Sequence, residues 1–326
     1  YNIVILSNKR KHWIMKFFFL VLLYFFLFKS LVSAEVIEYL SYTPNNFEEI
    51  YHDNFKEDPV RLSGELILPE GTGKFPVVVL QHGTGDNKKK WYKNLANELK
   101  KNNIGTFIND SYTNRELSGA DLTLAPRVID GLFLLNALSN HPKIDKNRIG
   151  IQGYSYGGMV AFFTAYEGLI NKVGVQYAAH MPVYPGCDVV IKDMVTTSAP
   201  ILMIIAENDD YAPAADCIDY GPNIGKIKIY KDAYHGFIST KKKKEFLKNT
   251  GHFNDCERGY IQDDGKWFYN GKTRNGTESE IFSEIWKECG NQGVHIGGTN
   301  KIRELLIEDT IEFFSKHLLE NWKIKN

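Results

Sequence analysis

The sequence predicts an α/β fold, with a mostly parallel central sheet covered by helices on both faces. Three observations predict it. Short apolar runs alternate with segments of helical spacing along most of the chain. Several of those runs are apolar at nearly every position, as strands buried on both faces require. The polar clusters with chemical potential fall just beyond the ends of such runs.

The elements follow in order. Glu35 to Pro69 reads as an irregular entry plus a strand, with Leu62, Leu66 and Leu68 apolar before a Pro-Glu-Gly turn. Phe75 to Leu80 is a nearly continuous apolar strand. Trp91 to Lys101 has helical spacing at Trp91, Leu95 and Leu99, and Ile104 to Ile108 returns to strand. Pro126 fits the first turn of a helix running through Val128, Leu132 and Leu135 to Leu138. Arg148 to Gln152 is read as strand and Tyr156 to Glu167 as helix. Strands are then expected at Val173 to Tyr177, Ile201 to Ile205 and Ile227 to Tyr230. Ile302, Leu305, Leu306, Phe313 and Leu318 mark a final amphipathic helix. No internal repeat or Pro/Ser linker interrupts the series, so residues 35–326 read as one domain with an insertion at about 239–300.

Composition narrows the class. With 43% apolar residues among 326, the chain is not mainly disordered, and 39 basic against 39 acidic residues leave no footprint for a nucleic-acid binder. The first 34 residues distort that balance. They hold five basic residues (Lys9, Arg10, Lys11, Lys16 and Lys29) and no acid, which leaves 34 basic against 39 acidic beyond them. Met15-Lys16, the twelve apolar residues Phe17 to Phe28, and Val32-Ser33-Ala34 have the layout of a secretory signal peptide behind a short upstream extension. Twelve residues span about 18 Å as a helix, against a hydrocarbon core of about 30 Å, so no stable membrane anchor is expected after cleavage. A secreted or periplasmic location follows.

All four cysteines, Cys187, Cys217, Cys256 and Cys289, lie beyond that leader. In an oxidising compartment they suggest disulfides, and the pairs Cys187–Cys217 and Cys256–Cys289 keep each loop local. His252-x3-Cys256 and Cys289-x5-His295 resemble two halves of a zinc site, a competing but looser reading.

Three strand ends carry the chemistry. Gly153-Tyr154-Ser155-Tyr156-Gly157-Gly158 lies between a strand and a helix, where a nucleophile elbow exposes its serine and glycines avoid clashes. Glu207-Asn208-Asp209-Asp210 follows the strand Ile201 to Ile205 and supplies an acid. Asp232-Ala233-Tyr234-His235-Gly236 follows Ile227 to Tyr230 and supplies an imidazole. The order Ser155, Asp209, His235 is the one expected for an α/β-hydrolase triad. Gln81-His82-Gly83-Thr84-Gly85 ends the strand at Leu80, and its backbone N–H groups near Gly83 and Thr84 could join that of Tyr156 in an oxyanion hole. His82 precedes Ser155 and is read as shaping the loop.

These segments resemble the dienelactone hydrolase family of the α/β-hydrolase superfamily, especially its exported members. The resemblance rests on Gln81-His82-Gly83, Asp110-Ser111-Tyr112-Thr113-Asn114-Arg115, His141-Pro142-Lys143-Ile144-Asp145, Arg148-Ile149-Gly150 and the elbow through Met159. It continues in Glu207 to Pro213 and Ala233 to Phe237, and spans about Leu62 to Leu319. It implies an α/β-hydrolase fold and places Asp209, four residues before Pro213, in the acid position ahead of Asp210. The family's namesakes carry Cys in the elbow, so Ser155 is a departure that weakens transfer of a dienelactone substrate.

The implied activity is cleavage of small-molecule carboxylic esters or lactones by a serine hydrolase through an acyl-enzyme, with no cofactor or metal. A peptidase or other acyl-transfer enzyme on the same fold, or a non-catalytic binding module, remains open to the same residues. Arg115, His180, Tyr184 and Tyr211 are candidates for lining the substrate pocket, with a structural ion pair as the competing role of Arg115. The stretch from Ser239 to Asn300 either caps the pocket or packs beside the sheet.

Overall fold

In the computed structural model, residues 34–85, 90–219, 225–239 and 244–320 are described. The leader expected over residues 1–34 lies, apart from Ala34, outside them. From Val36 onward the chain forms one compact unit.

Eight strands make the central sheet: β1 (Glu35–Ser41), β2 (Val60–Ile67), β3 (Phe75–Gln81), β4 (Gly105–Asp110), β5 (Ile144–Tyr154), β6 (Ala179–Val183), β8 (Leu202–Ala206) and β9 (Lys226–Tyr230). A short strand, β7 (Val189–Ile191), falls between β6 and β8 in the chain and belongs to another sheet. The central order is β1-β2-β4-β3-β5-β6-β8-β9, antiparallel at β2/β4 and parallel from β4 through β9.

The all-apolar runs are apolar because alternate side chains enter two different cores. Val77 and Val79 of β3 pack on one face, and Val78 and Leu80 on the other. Met203 and Ile205 of β8 are likewise separated from Ile204 and Ala206. Each such valine, leucine, isoleucine or methionine side chain, fully buried, contributes roughly 1.5–3 kcal/mol. Helices α3 (Leu124–Ser139) and α4 (Tyr156–Phe163) cover the first face, while α2 (Lys90–Lys101) and α8 (Asn300–Ser315) cover the second. A short α1 (Phe47–Tyr51) is capped by Asn46, whose side chain accepts from the Glu49 N–H.

Two expected elements are corrected. No strand forms at Val173 to Tyr177. Val173 instead ends α5 (Glu167–Val173), where Gly174 at φ 78° terminates the helix, and the strand forms at β6. The helix expected over Tyr156 to Glu167 is divided between α4 and α5 by a turn at Thr164–Tyr166.

The insertion region holds β10 (Glu245–His252), β11 (Gly259–Ile261), β12 (Trp267–Tyr269), β13 (Lys272–Arg274), α7 (Glu278–Cys289) and β14 (Asn291–Ile296). Between β8 and β9 lies α6 (Ala214–Asp219). Strand β10 pairs with β14, and β11 extends a small sheet parallel to β7. Thr277 and Glu280 form a reciprocal capping box that starts α7. Disulfides join Cys187 to Cys217 and Cys256 to Cys289. That pairing removes the zinc alternative, because a bridged sulfur is not a thiolate ligand. No helix among the described residues is long and apolar enough to cross a membrane.

Candidate active site

Strand β5 ends at Tyr154 and α4 begins at Tyr156, so Ser155 occupies the turn between them with φ 55° and ψ −120°. A non-glycine residue at positive φ costs about 1–3 kcal/mol, sustained only by surrounding structure. Here the Ser155 N–H donates to the Val183 carbonyl at 2.9 Å, and its own carbonyl accepts from the Met159 N–H at 3.0 Å. The flanking glycines are sterically required. A Cβ on Gly153 would lie 1.8 Å from the Gly157 carbonyl oxygen, and one on Gly157 would lie 2.4 Å from that of Gln81.

The three strand ends converge. The Ser155 hydroxyl is 2.8 Å from His235 Nε2, and His235 Nδ1 is 2.8 Å from Asp209 Oδ2. Asp209 is held by its other oxygen, which accepts the N–H groups of Tyr211 at 3.0 Å and Ala212 at 2.8 Å. That carboxylate cannot donate, so the Nδ1 proton sits on its side of the ring and leaves Nε2 free to accept from the serine. The rings of Tyr184 and Tyr211 pack edgewise against the imidazole, with centroids 4.9 and 4.7 Å away. Asp210 faces elsewhere: its side chain takes His295 Nδ1 at 2.6 Å and the His295 N–H at 2.7 Å. The pair ties β14 to the acid turn, and Gly297 N–H to the His235 carbonyl at 2.9 Å continues the tie.

The glycine loop after β3 comes up beside the serine. A Cβ on Gly83 would stand 3.3 Å from Ser155 Cβ. Arg127, 1% exposed on α3, supports the loop from beneath. Its guanidinium donates to the carbonyls of His82 and Gly83 and, at 2.9 Å, to the Tyr112 hydroxyl, and it lies over the rings of Tyr112 and Tyr156. His82 is a structural part of the same loop. Nδ1 lies 2.8 Å from the Gly83 carbonyl and 3.0 Å from that of Gly85, while Nε2 accepts from the Ser111 N–H at 3.3 Å. Burial, assisted by the charge of Arg127, pushes its pKa down to about 4 and keeps the ring neutral.

Comparison with known proteins places the chain in a family. The family model for the dienelactone hydrolase family matches residues 63–253. The chain belongs to the dienelactone hydrolase family. A 78-residue stretch is also 31% identical to lipase member M of Homo sapiens, covering 24% of this chain and 18% of that protein. Among solved structures, the chain is similar to an alpha-beta serine hydrolase homologue from Coxiella burnetii (18% identity, TM-score 0.44, 55% of this chain and 85% of that one). It is similar to Thermogutta terrifontis esterase 2 (13% identity, TM-score 0.45, 56% and 83%). It is also similar to a dienelactone hydrolase-like promiscuous phosphotriesterase from metagenomic libraries (15% identity, TM-score 0.45, 63% and 85%).

In this dienelactone hydrolase family member, Ser155 and His235 open onto a cleft of about 330 Å³. Thr84, Tyr156 and Tyr211 line it, as do His252, Phe253, Asn254, Ser279 and Phe282 from the insertion region. The insertion also contributes Trp267, Ile281 and Ile285 to the core, so it both walls the cleft and packs on the body. Three expected pocket residues are placed elsewhere. Arg115 makes a two-pronged ion pair with Asp130, each contact 2.8 Å, with side chains 4% and 0% exposed. His180 is a core residue of β6: Nδ1 lies 2.9 Å from the Ala161 carbonyl, and burial pushes its pKa down to about 4. Tyr184 is buried behind the imidazole, against Phe237. Sequence reasoning missed Arg127, and it missed Asp188, which also lines the cleft. Arg127 has the spacing of an ordinary helix residue, and the signal for Asp188 is its position directly after the bridged Cys187.

Proposed function

We propose that the chain is a serine carboxylester hydrolase that cleaves small-molecule esters or lactones through an acyl-enzyme. The observation that carries this reading is the continuous Ser155–His235–Asp209 hydrogen-bond chain, two contacts of 2.8 Å, opening onto the cleft. In the first half-reaction His235 Nε2 takes the hydroxyl proton as Ser155 Oγ attacks the acyl carbonyl. Asp209 stabilises the imidazolium and fixes its orientation. The oxyanion is received by the N–H of Tyr156, with the Gly83-Thr84 backbone supplying the opposing donor. One such donor contributes about 10²–10³ in rate. The imidazolium then gives its proton to the departing alkoxide. In the second half-reaction His235 deprotonates water, which attacks the ester of Ser155 and releases the acid. No step calls on a metal or an organic cofactor.

The two disulfides support a second part of the proposal, that the protein works in an oxidising compartment outside the cytoplasm. Alkylation of the unfolded protein without reductant should add no alkyl group, and alkylation after reduction should add four.

The test of the main proposal is hydrolysis of a graded series of p-nitrophenyl esters by the purified chain and its Ser155→Ala variant. Turnover that falls by about 10⁶-fold in the variant agrees with the proposal. Comparable turnover by both contradicts it.

A further inference from the structure

The cleft beside Ser155 is one-sided in charge. Among the described residues it is lined by one carboxylate, Asp188, and by no Lys or Arg. Asp188 sits between Cys187, bridged to Cys217, and Val189, the first residue of β7. Its carbonyl oxygen accepts the Gly259 N–H at 2.7 Å, so both ends of the residue are fixed by covalent and sheet contacts. The side chain has room because its neighbour lacks one: a Cβ on Gly186 would lie 2.7 Å from Asp188 Oδ1.

Among the described residues, the Asp188 carboxylate is in no ion pair, and it accepts from its own N–H and from that of Val189. Burial and the like charge of Asp216 raise its pKa above the ordinary carboxylate range, while Arg258 acts in the opposite direction. Arg258 is engaged elsewhere, donating to the carbonyls of Cys187 at 3.2 Å and Asp216 at 2.5 Å. Among the described residues, the charged groups acting on Asp188 are therefore one further carboxyl and one guanidinium, and neither lines the cleft. The other titratable side chains on its wall are His235, His252, Tyr156 and Tyr211. His235 Nδ1 is committed to Asp209, and His252 Nδ1 accepts from the Asn254 N–H at 3.3 Å.

A partly buried carboxylate with no cation hydrogen-bonded to it among the described residues gains from a ligand that brings one. We propose that Asp188 is a specificity-determining residue that selects esters whose cleft-filling group carries an ammonium charge and turns away those carrying a carboxylate. This rests on the serine-hydrolase reading of the same cleft. Asp188 takes no part in bond making; its contribution is to the binding and orientation of the substrate.

The experiment compares esters of one length bearing a terminal ammonium, methyl or carboxylate group, with the charge on the acyl chain in one series and on the alcohol in another. The expected order of kcat/KM is ammonium, then methyl, then carboxylate, in at least one series. Opposite charges in a cleft of intermediate dielectric make the ammonium-to-carboxylate ratio about 10- to 100-fold. In Asp188→Asn that ratio should shrink to about 3-fold or less. An unchanged ratio in a folded Asp188→Asn protein, or no charge preference in the unsubstituted chain, overturns the proposal. Calorimetric binding of n-butylammonium and n-butyrate to the unsubstituted protein reads the same preference without catalysis or substitution. Equal binding of the two, or stronger binding of butyrate, also overturns it. Loss of turnover on every ester, with ammonium still bound preferentially, contradicts the serine-hydrolase reading instead.

Discussion

Replacing Asp209 by Asn tests the proton path with little change in shape. Asp209 uses Oδ1 for two backbone N–H groups and Oδ2 for His235 Nδ1. An asparagine keeping its oxygen on the two N–H groups must aim its NH₂ at Nδ1. Turning the amide over would set that NH₂ against two donors and forfeit both bonds, so the first orientation prevails. Nδ1 then has to accept, the ring proton moves to Nε2, and the imidazole presents a donor to a hydroxyl it should deprotonate. A reversal of this kind lowers kcat by about 10⁴, equivalent to about 5.4 kcal/mol of activation free energy. Stopped-flow or steady-state hydrolysis of a short-chain p-nitrophenyl ester reads kcat, and circular dichroism checks that the variant is folded. A folded Asp209→Asn protein with kcat within tenfold of the original would refute the assignment of roles.

Three further outcomes follow from buried groups. Burial pushes the Glu278 carboxyl up to about 7, although its Oε2 accepts the Ala125 N–H at 2.8 Å. Between its ordinary 4.5 and that value the folded protein holds the extra proton, so its contribution to stability falls as pH rises through this window, by on the order of 3 kcal/mol. Denaturant midpoints at pH 5 and pH 8 should therefore differ less in Glu278→Gln. Reducing the Cys187–Cys217 bridge, which spans 30 residues, should cost about 3–4 kcal/mol, measured by unfolding Cys187→Ala/Cys217→Ala. Arg115→Met leaves Asp130 buried without its partner and should cost about 3–5 kcal/mol. Ester KM in the folded variant should stay near its original value, since Arg115 is away from the cleft.

What was legible in the sequence depended on how locally it was encoded. Val77 to Leu80 announced a central strand because both faces of that strand are buried, which forces an apolar residue at every position. The elbow was readable because Gly153 and Gly157 leave no space for a side chain. Strand β6 was missed because His180 and Pro182 interrupt its apolar run. The structure accommodates both, the histidine by a bond to the Ala161 carbonyl and the proline beside Gly153. Arg115 could be weighed as a substrate contact only because its partner Asp130 lies fifteen residues away on α3. The cleft wall was the least legible part. His252, Asn254 and Phe282 reach it through pairing of β10 with β14 and packing of α7, and no local pattern encodes such distant contacts.

The most direct measurement is covalent labelling of the purified chain with a fluorophosphonate, followed by intact-mass and peptide mapping. The account predicts one adduct per chain, on Ser155, lost in Ser155→Ala and strongly slowed in the folded Asp209→Asn protein. A folded chain left unmodified at Ser155, or labelled instead on another serine, would contradict it.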